Sequence, residues 1–207
     1  MNRSDAFWDR IAEKYARRPV ADEAVYRKKL EVTRQYLTPE SEVLEIGCGT
    51  GTSALHHAEV VKHIRAIDFS QNMIDIARRK AKEANVGNVT FEVCRIHELE
   101  VEDESLDAVL ALNILHLVDD RQPVIDDIFR MLKPGGVLVS STACLGDKLK
   151  FFKYIAPIGR FLGLMPLVRI FTADALRVSM VTAGFTIDHD YQPEKSHAVF
   201  LVAKKPG

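Results

Sequence analysis

The stretch Val43-Leu44-Glu45-Ile46-Gly47-Cys48-Gly49-Thr50-Gly51 decides the reading of this chain, together with Asp68 at the end of the next apolar run. Val43, Leu44 and Ile46 have the character of a short buried strand. Three alternate glycines follow, Gly47, Gly49 and Gly51. They let the backbone turn tightly and lie against a ligand with no Cβ in the way. Residues 53–61 can form the next helix, so the loop ends at a helix N-terminus. The stretch 63–67 is a second apolar run that Asp68 closes. A carboxylate there is placed to accept hydrogen bonds from a ribose diol, as in nucleotide-binding βαβ units.

The spacing separates two kinds of nucleotide loop. A dinucleotide fingerprint reads G-x-G-x-x-G, its third glycine packing helix on strand. In this chain that position is Thr52, and the glycine falls one residue early at Gly51. An acid, Glu45, also stands two residues before the first glycine.

The rest of the chain supports one α/β domain spanning 1–207. The length suits a single domain with a decorated core. A hydrophobic share of 47% fills an ordinary globular core, and a net charge of −1 gives no basic field for nucleic acid. Cys48, Cys94 and Cys144 lie in apolar or glycine contexts without a C-x-x-C pair, so small buried thiols are expected rather than a disulfide framework or metal ligands. The polar start has no signal-peptide core and no apolar run is long enough to span a bilayer, which points to a cytoplasmic protein.

Helical spacing at Trp8, Ile11, Ala12 and Tyr15 predicts a first helix ended by Pro19, and a second is expected over 22–36. Ser70 can cap a helix carrying Met73, Ile74, Ala77 and Ala81 inward. Val89, Phe91 and Val93 alternate as a third strand, and 106–112 is a continuous apolar run of the central parallel type. A helix with Val124, Ile125, Ile128, Phe129 and Leu132 on one face should stop at Pro134-Gly135-Gly136, with a fifth strand over 137–142. Thr172 caps a later helix with Gly184 beyond its end. Strands over 185–191 and 198–202 have no helix between them and should form an antiparallel pair at one edge.

The E-x-G-x-G-x-G form of the first loop resembles the first motif of the class I S-adenosylmethionine (SAM)-dependent methyltransferases. The likeness continues in Ala66-Ile67-Asp68-Phe69-Ser70, Ser105-Leu106-Asp107-Ala108-Val109, Asn113-Ile114-Leu115-His116 and Met131-Leu132-Lys133-Pro134-Gly135-Gly136. The opening Phe7-Trp8-Asp9-Arg10-Ile11-Ala12-Glu13-Lys14-Tyr15 is similar to small-molecule methyltransferases of the quinone-biosynthesis type. The resemblance implies a Rossmann-like doubly wound sheet of seven strands, mostly parallel with an antiparallel C-terminal edge strand. It also implies SAM as cofactor and S-adenosylhomocysteine as product. Gly47, Cys48, Gly49, Thr50 and Gly51 would then shape the loop under the methionine part. Glu45 would order that loop or reach the methionine amino group, and Asp68 would hold the ribose hydroxyls. Phe69 and Met73 would press on the adenine, Asn113 would lie near the sulfonium, and Tyr15 would close the site from the N-terminal segment. One departure concerns adenine. The family often places an acid after the third strand, but here the positions read Cys94-Arg95-Ile96-His97, and arginine cannot accept a hydrogen bond. Adenine recognition would fall to backbone groups around Ile96 and His97, to apolar contact, or to Glu98.

SAM carries an activated methyl group, so such an enzyme chiefly aligns an acceptor and excludes water. If a base is used, His116 is the first candidate, because it follows the fourth strand at the ligand-binding edge of an open α/β sheet. A packed helix-start histidine is the plain alternative. No metal-binding pattern is present. Residues 1–38 are expected to form a helical lid and 147–171 an apolar substrate cap over a small, lipophilic or aromatic acceptor. The basic, apolar segment 148–171 also suits a homodimer surface or peripheral contact with an anionic membrane. A non-catalytic SAM-binding regulator and a nucleotide-dependent oxidoreductase are the rival functions.

Overall fold

The computed structural model describes residues 3–147, 155, 159, 165–193 and 196–207. Seven strands form one sheet: β1 (Glu42–Ile46), β2 (His63–Asp68), β3 (Val89–Val93), β4 (Leu106–Leu112), β5 (Leu132–Ala143), β6 (Thr186–Tyr191) and β7 (Ala198–Lys204). Their order is β3-β2-β1-β4-β5-β7-β6. The chain winds outward from β1 to β3, then returns to lay β4 against the other side of β1. This reversal opens a crevice beyond the carboxyl ends of β1 and β4, where open α/β sheets bind ligands. The expected antiparallel pair is present at the far end. β7 slots between β5 and β6 and is antiparallel to both.

Helices α1 (Arg3–Ala16), α2 (Glu23–Arg34), α3 (Thr52–His57), α4 (Gln71–Glu83), α5 (Arg121–Met131) and α6 (Ala173–Thr182) cover the sheet. Alternation along the strands divides the core in two. Leu44, Ile46, Val109 and Leu138 join α5 and α6 on one face. Val43, Ile64, Leu110 and Val139 join α2, α3 and α4 on the other. Side-chain oxygens start the helices where the sequence places them: Asp22 accepts from Val25 N, Ser70 from Met73 N and Thr172 from Ala175 N.

Three expectations need correction. The helix expected over 53–61 ends at His57 and tightens into a 3₁₀ turn, Ala58–Val60. Helix α5 ends at Met131, and Pro134-Gly135-Gly136 lies inside β5 rather than before it. Leu132 pairs with Leu106 and Val137 with Ala108, so the intervening residues bulge. Gly135 takes φ +81° there, and the bulge is closed by Gly135 N to Lys205 O and Lys205 N to Gly136 O, both 2.9 Å. Val93 ends an edge strand at the sheet rim and is 44% exposed, so inward alternation stops at Phe91.

Candidate functional site

The glycine loop joins β1 to α3. Gly47, Gly49 and Gly51 all take positive φ, at 64°, 54° and 73°. Their reasons differ. A Cβ on Gly47 would lie 2.7 Å from the Ile114 side chain, and one on Gly51 would lie 2.7 Å from the Phe91 ring. Packing forbids both. At Gly49 the nearest such neighbour is the Tyr15 ring at 3.8 Å, so this glycine keeps a cradle open rather than a contact tight. The loop is pinned by Cys48 N donating to Ile67 O at 2.9 Å. Lys80, from α4, donates to the hydroxyls of Thr50 and Thr52 at 3.0 and 3.1 Å.

Two carboxylates flank the loop. Asp68 ends β2; its Oδ2 accepts from Gly49 N and its Oδ1 from Ser70 N, each at 2.9 Å. A carboxylate has about four acceptor positions, so Asp68 has capacity left for a diol. Burial raises its pKa, against the lowering effect of these amides. Glu45, in β1, is 1% exposed. One of its oxygens accepts from Ser53 Oγ, and Oε2 has no partner among the described residues. Burial, first, pushes its pKa up to about 7; the Ser53 bond lowers it and the Asp68 charge adds to the rise.

A cavity of about 430 Å³, open mouth included, lies over the loop. Tyr15, Gly47, Gly49, Asp68, Phe69, Met73 and Asn113 line it, as do Trp8, Leu112, Ile114 and Leu117. The N-terminal helix forms its outer wall. Asp9 on α1 accepts from Ser70 Oγ at 2.6 Å and from Asn72 N at 3.3 Å, seating a negative charge at the start of α4. Trp8 and Tyr15 pack edge to face with centroids 5.9 Å apart. Asn113, just past β4, takes φ +60°, a conformation asparagine tolerates, and its N–H donates to Ser141 O at 2.6 Å.

Seven predicted residues therefore meet in one wall. Glu45, Cys48, Thr50 and Gly51 stand behind it, supporting the loop. Ile96 and His97 lie on the 3₁₀ turn Ile96–Glu98, with His97 exposed 3.7 Å from Glu98. The Arg95 guanidinium stands 5.5 Å from the Phe69 ring centroid. His116 is absent from the cavity wall. Burial pushes its pKa down to about 4, and its buried Nδ1 has no partner among the described residues. Its carbonyl accepts from Arg169 N at 2.8 Å, so its backbone faces the segment after β5. Cys48 and Cys144 are buried, Cys94 half-buried, and all three are free thiols. Among the described residues no cluster of His, Cys, Asp or Glu could hold a metal ion.

The wall residues that the sequence left unflagged are apolar. Trp8 was visible as part of a helical face, but a face does not say what it covers. Ile114 and Leu117 carry no chemical signature. Their role follows from the turn after β4, where Leu117 N donates to Ile114 O at 2.7 Å.

Residues 43–136 match the family model described as a methyltransferase domain. The matched residues, the strand order and the glycine loop are similar to those of the class I SAM-dependent methyltransferases. Among curated proteins it is similar to demethylmenaquinone methyltransferases. It is 35% identical to the demethylmenaquinone methyltransferase of Listeria welshimeri over 132 residues, 58% of this chain and 56% of that protein. It is 33% identical to an arsenite methyltransferase of Halobacterium salinarum over 103 residues, 48% of this chain and 26% of that protein. The matched stretch thus spans little more than half the length of the first of these relatives. Among solved structures, a putative methyltransferase from Bacillus halodurans superposes with a TM-score of 0.74 at 16% identity, covering 87% of this chain and 98% of that one. A SAM-dependent methyltransferase from Methanosarcina mazei gives 0.70 at 22% identity, covering 84% and 97%. These last two likenesses show the fold.

The cavity fits SAM, the cofactor of this class. Gly49 leaves room where any Cβ would intrude, Asp68 has acceptor capacity to spare, and the buried Glu45 Oε2 lacks a donor.

Proposed function

We propose that this protein transfers a methyl group from SAM to a small lipophilic or aromatic acceptor. The observation that carries the proposal is the pairing of the open cradle at Gly49 with Asp68, whose Oδ2 already accepts from Gly49 N at 2.9 Å. When bound, SAM supplies an electrophilic methyl on a cationic sulfur. The chain's own residues bind, orient and exclude water. Asp68 accepts from the ribose hydroxyls, while Glu45 takes the methionine ammonium through its spare oxygen. Phe69 and Met73 hold the adenine by apolar contact, with Arg95 backing the Phe69 ring. Asn113 and Tyr15 border the methyl, and Trp8, Ile114 and Leu117 keep water from the reacting atoms.

No general base is assigned to His116. A neutral, buried imidazole with its pKa near 4 accepts protons poorly at neutral pH. Acceptors that are already nucleophilic therefore suit this site. The names of the relatives suggest demethylmenaquinone and arsenite as acceptor classes. Burial raises the pKa of the Cys48, Cys94 and Cys144 thiols, so none is offered as the thiolate that would meet arsenic, which favours the demethylmenaquinone type. Residues 1–38 act as a lid, with Asp9 as its latch. The segment 147–171, mostly outside the described residues, caps the acceptor, pairs with a second copy or touches an anionic membrane. No helix among the described residues is long and apolar enough to cross a membrane. Three free thiols suit a reducing cytoplasm.

The test is calorimetry with SAM and S-adenosylhomocysteine, followed by a tritiated-methyl transfer assay on pooled quinols, phenols, amines and thiols. Binding with transfer supports the enzyme. Binding with no acceptor methylated points to a SAM-binding regulator, and no binding of either nucleoside refutes the reading.

A further inference from the structure

Helix α2 carries a cation that meets no anion among the described residues. Lys29 lies one helical turn from Tyr26 on α2, on the side that meets the sheet. Its Nζ donates to Ser141 Oγ at 2.9 Å and lies 5.9 Å from the Phe200 ring centroid. Among the described residues no carboxylate pairs with it. This contrasts with Lys62, Lys133 and Lys205, each of which meets an acid. Burial alone lowers the Lys29 pKa, with no neighbouring charge contributing to the shift.

The place of this ammonium gives it meaning. Ser141 is at the carboxyl end of β5 and only 4% exposed. Its carbonyl accepts from Asn113 N at 2.6 Å, and Asn113 lines the cavity. Tyr26 feels the charge of Glu45 and lies within reach of Tyr15, which also lines the cavity. A partly desolvated ammonium is unfavourable unless an anion meets it. Ser141 supplies one neutral acceptor to a group with three donors.

We propose that Lys29 receives an anionic oxygen carried by an aromatic methyl acceptor, with Ser141 fixing the direction of the ammonium. The inference rests on the reading of the cavity as a SAM site, and it adds a charge requirement on the acceptor. The anionic oxygen can come from a carboxylate or a phenolate, and the experiment has an arm for each.

The complete chain is first loaded with S-adenosylhomocysteine. It is then titrated with 2-naphthoate against the neutral 2-naphthamide, and with 4-nitrophenolate against the neutral 4-nitroanisole. At least one anion should bind tighter than its neutral twin, and the arm that does so names the source. Lys29→Met should weaken that anion by about tenfold, the scale of one charge-assisted hydrogen bond. It should leave the neutral twin and S-adenosylhomocysteine unchanged, and Lys29→Arg should restore the preference. If Lys29→Met fails to fold by thermal melt, Lys29→Gln keeps a donor for Ser141 and carries the same expectation. The inference is overturned if both anions bind no better than their twins, including no binding at all, or if the neutral variant keeps the preference. Failure of the wild type to bind S-adenosylhomocysteine refutes the SAM reading itself, a result distinct from loss of the charge preference.

Discussion

At the scale of single residues, Glu45 and Asp68 are two carboxylates treated differently by their surroundings. Asp68 is braced by backbone amides and Glu45 is buried with one oxygen idle. A folded pKa near 7, above the ordinary 4.5, means that the ionised form is the disfavoured one. Its contribution to stability is whole below about pH 4.5 and is lost as pH rises through about 7. Glu45→Gln should therefore melt higher than wild type at about pH 8 and similarly at about pH 5, in the absence of ligand. If Glu45 takes the methionine ammonium, SAM binding near neutral pH should release protons. Calorimetry in buffers of different ionisation enthalpy reads this, and the release should vanish in Glu45→Gln. Asp68→Asn should weaken S-adenosylhomocysteine by about 2 kcal/mol, roughly thirtyfold, through lost charge-assisted bonds. Unchanged affinity would remove Asp68 from the ribose site. The presence of both acids was legible in the sequence pattern. The idle oxygen of Glu45 was not, because it depends on Ser53 approaching from α3 and on the helices that cover the strand.

At the scale of elements, the glycine loop separates fold from function. Gly51→Ala should destabilise the protein by about 2–4 kcal/mol, since a left-handed alanine is strained and its Cβ overlaps Phe91 and Ala77. Gly49→Ala carries the backbone strain without the clash, so it should unfold less readily yet lose SAM affinity by blocking the cradle. Chemical denaturation and nucleoside titration of both variants check this, and equal losses in both measurements would contradict it. The three glycines were visible as a motif; their division of labour was set by Ile114, Phe91 and Tyr15, from distant parts of the chain. The same limit explains Pro134-Gly135-Gly136. These residues read locally as a helix stop, but Lys205 pairs with them and draws them into β5 as a bulge.

At the scale of the whole molecule, two imidazoles record the tightness of packing. His57 is fully buried, and neither ring nitrogen has a partner among the described residues. Burial, then the charges of His56 and Arg34, push its pKa down to about 4. Here the neutral form is favoured in the fold, so stability is greatest above the unfolded value of about 6.5 and declines toward pH 4. The decline attributable to His57 is of order 3 kcal/mol, and His116 titrates in the same direction. His57→Leu should flatten the loss of melting temperature between about pH 7 and pH 5. A slope as steep as that of wild type would assign acid sensitivity elsewhere.

The sequence by itself determined the strand–helix alternation, the glycine turn, the two acids and the helix caps. Each depends on neighbours within a few residues, on backbone preference or on hydrophobic period. Tertiary structure alone decided which face of each element met a ligand. It placed α1 over the loop, set Lys29 against Ser141 across 112 residues of chain, and kept His116 out of the cavity wall. Those outcomes depend on sheet order and on the burial of charge, and both are set only when distant segments pack together.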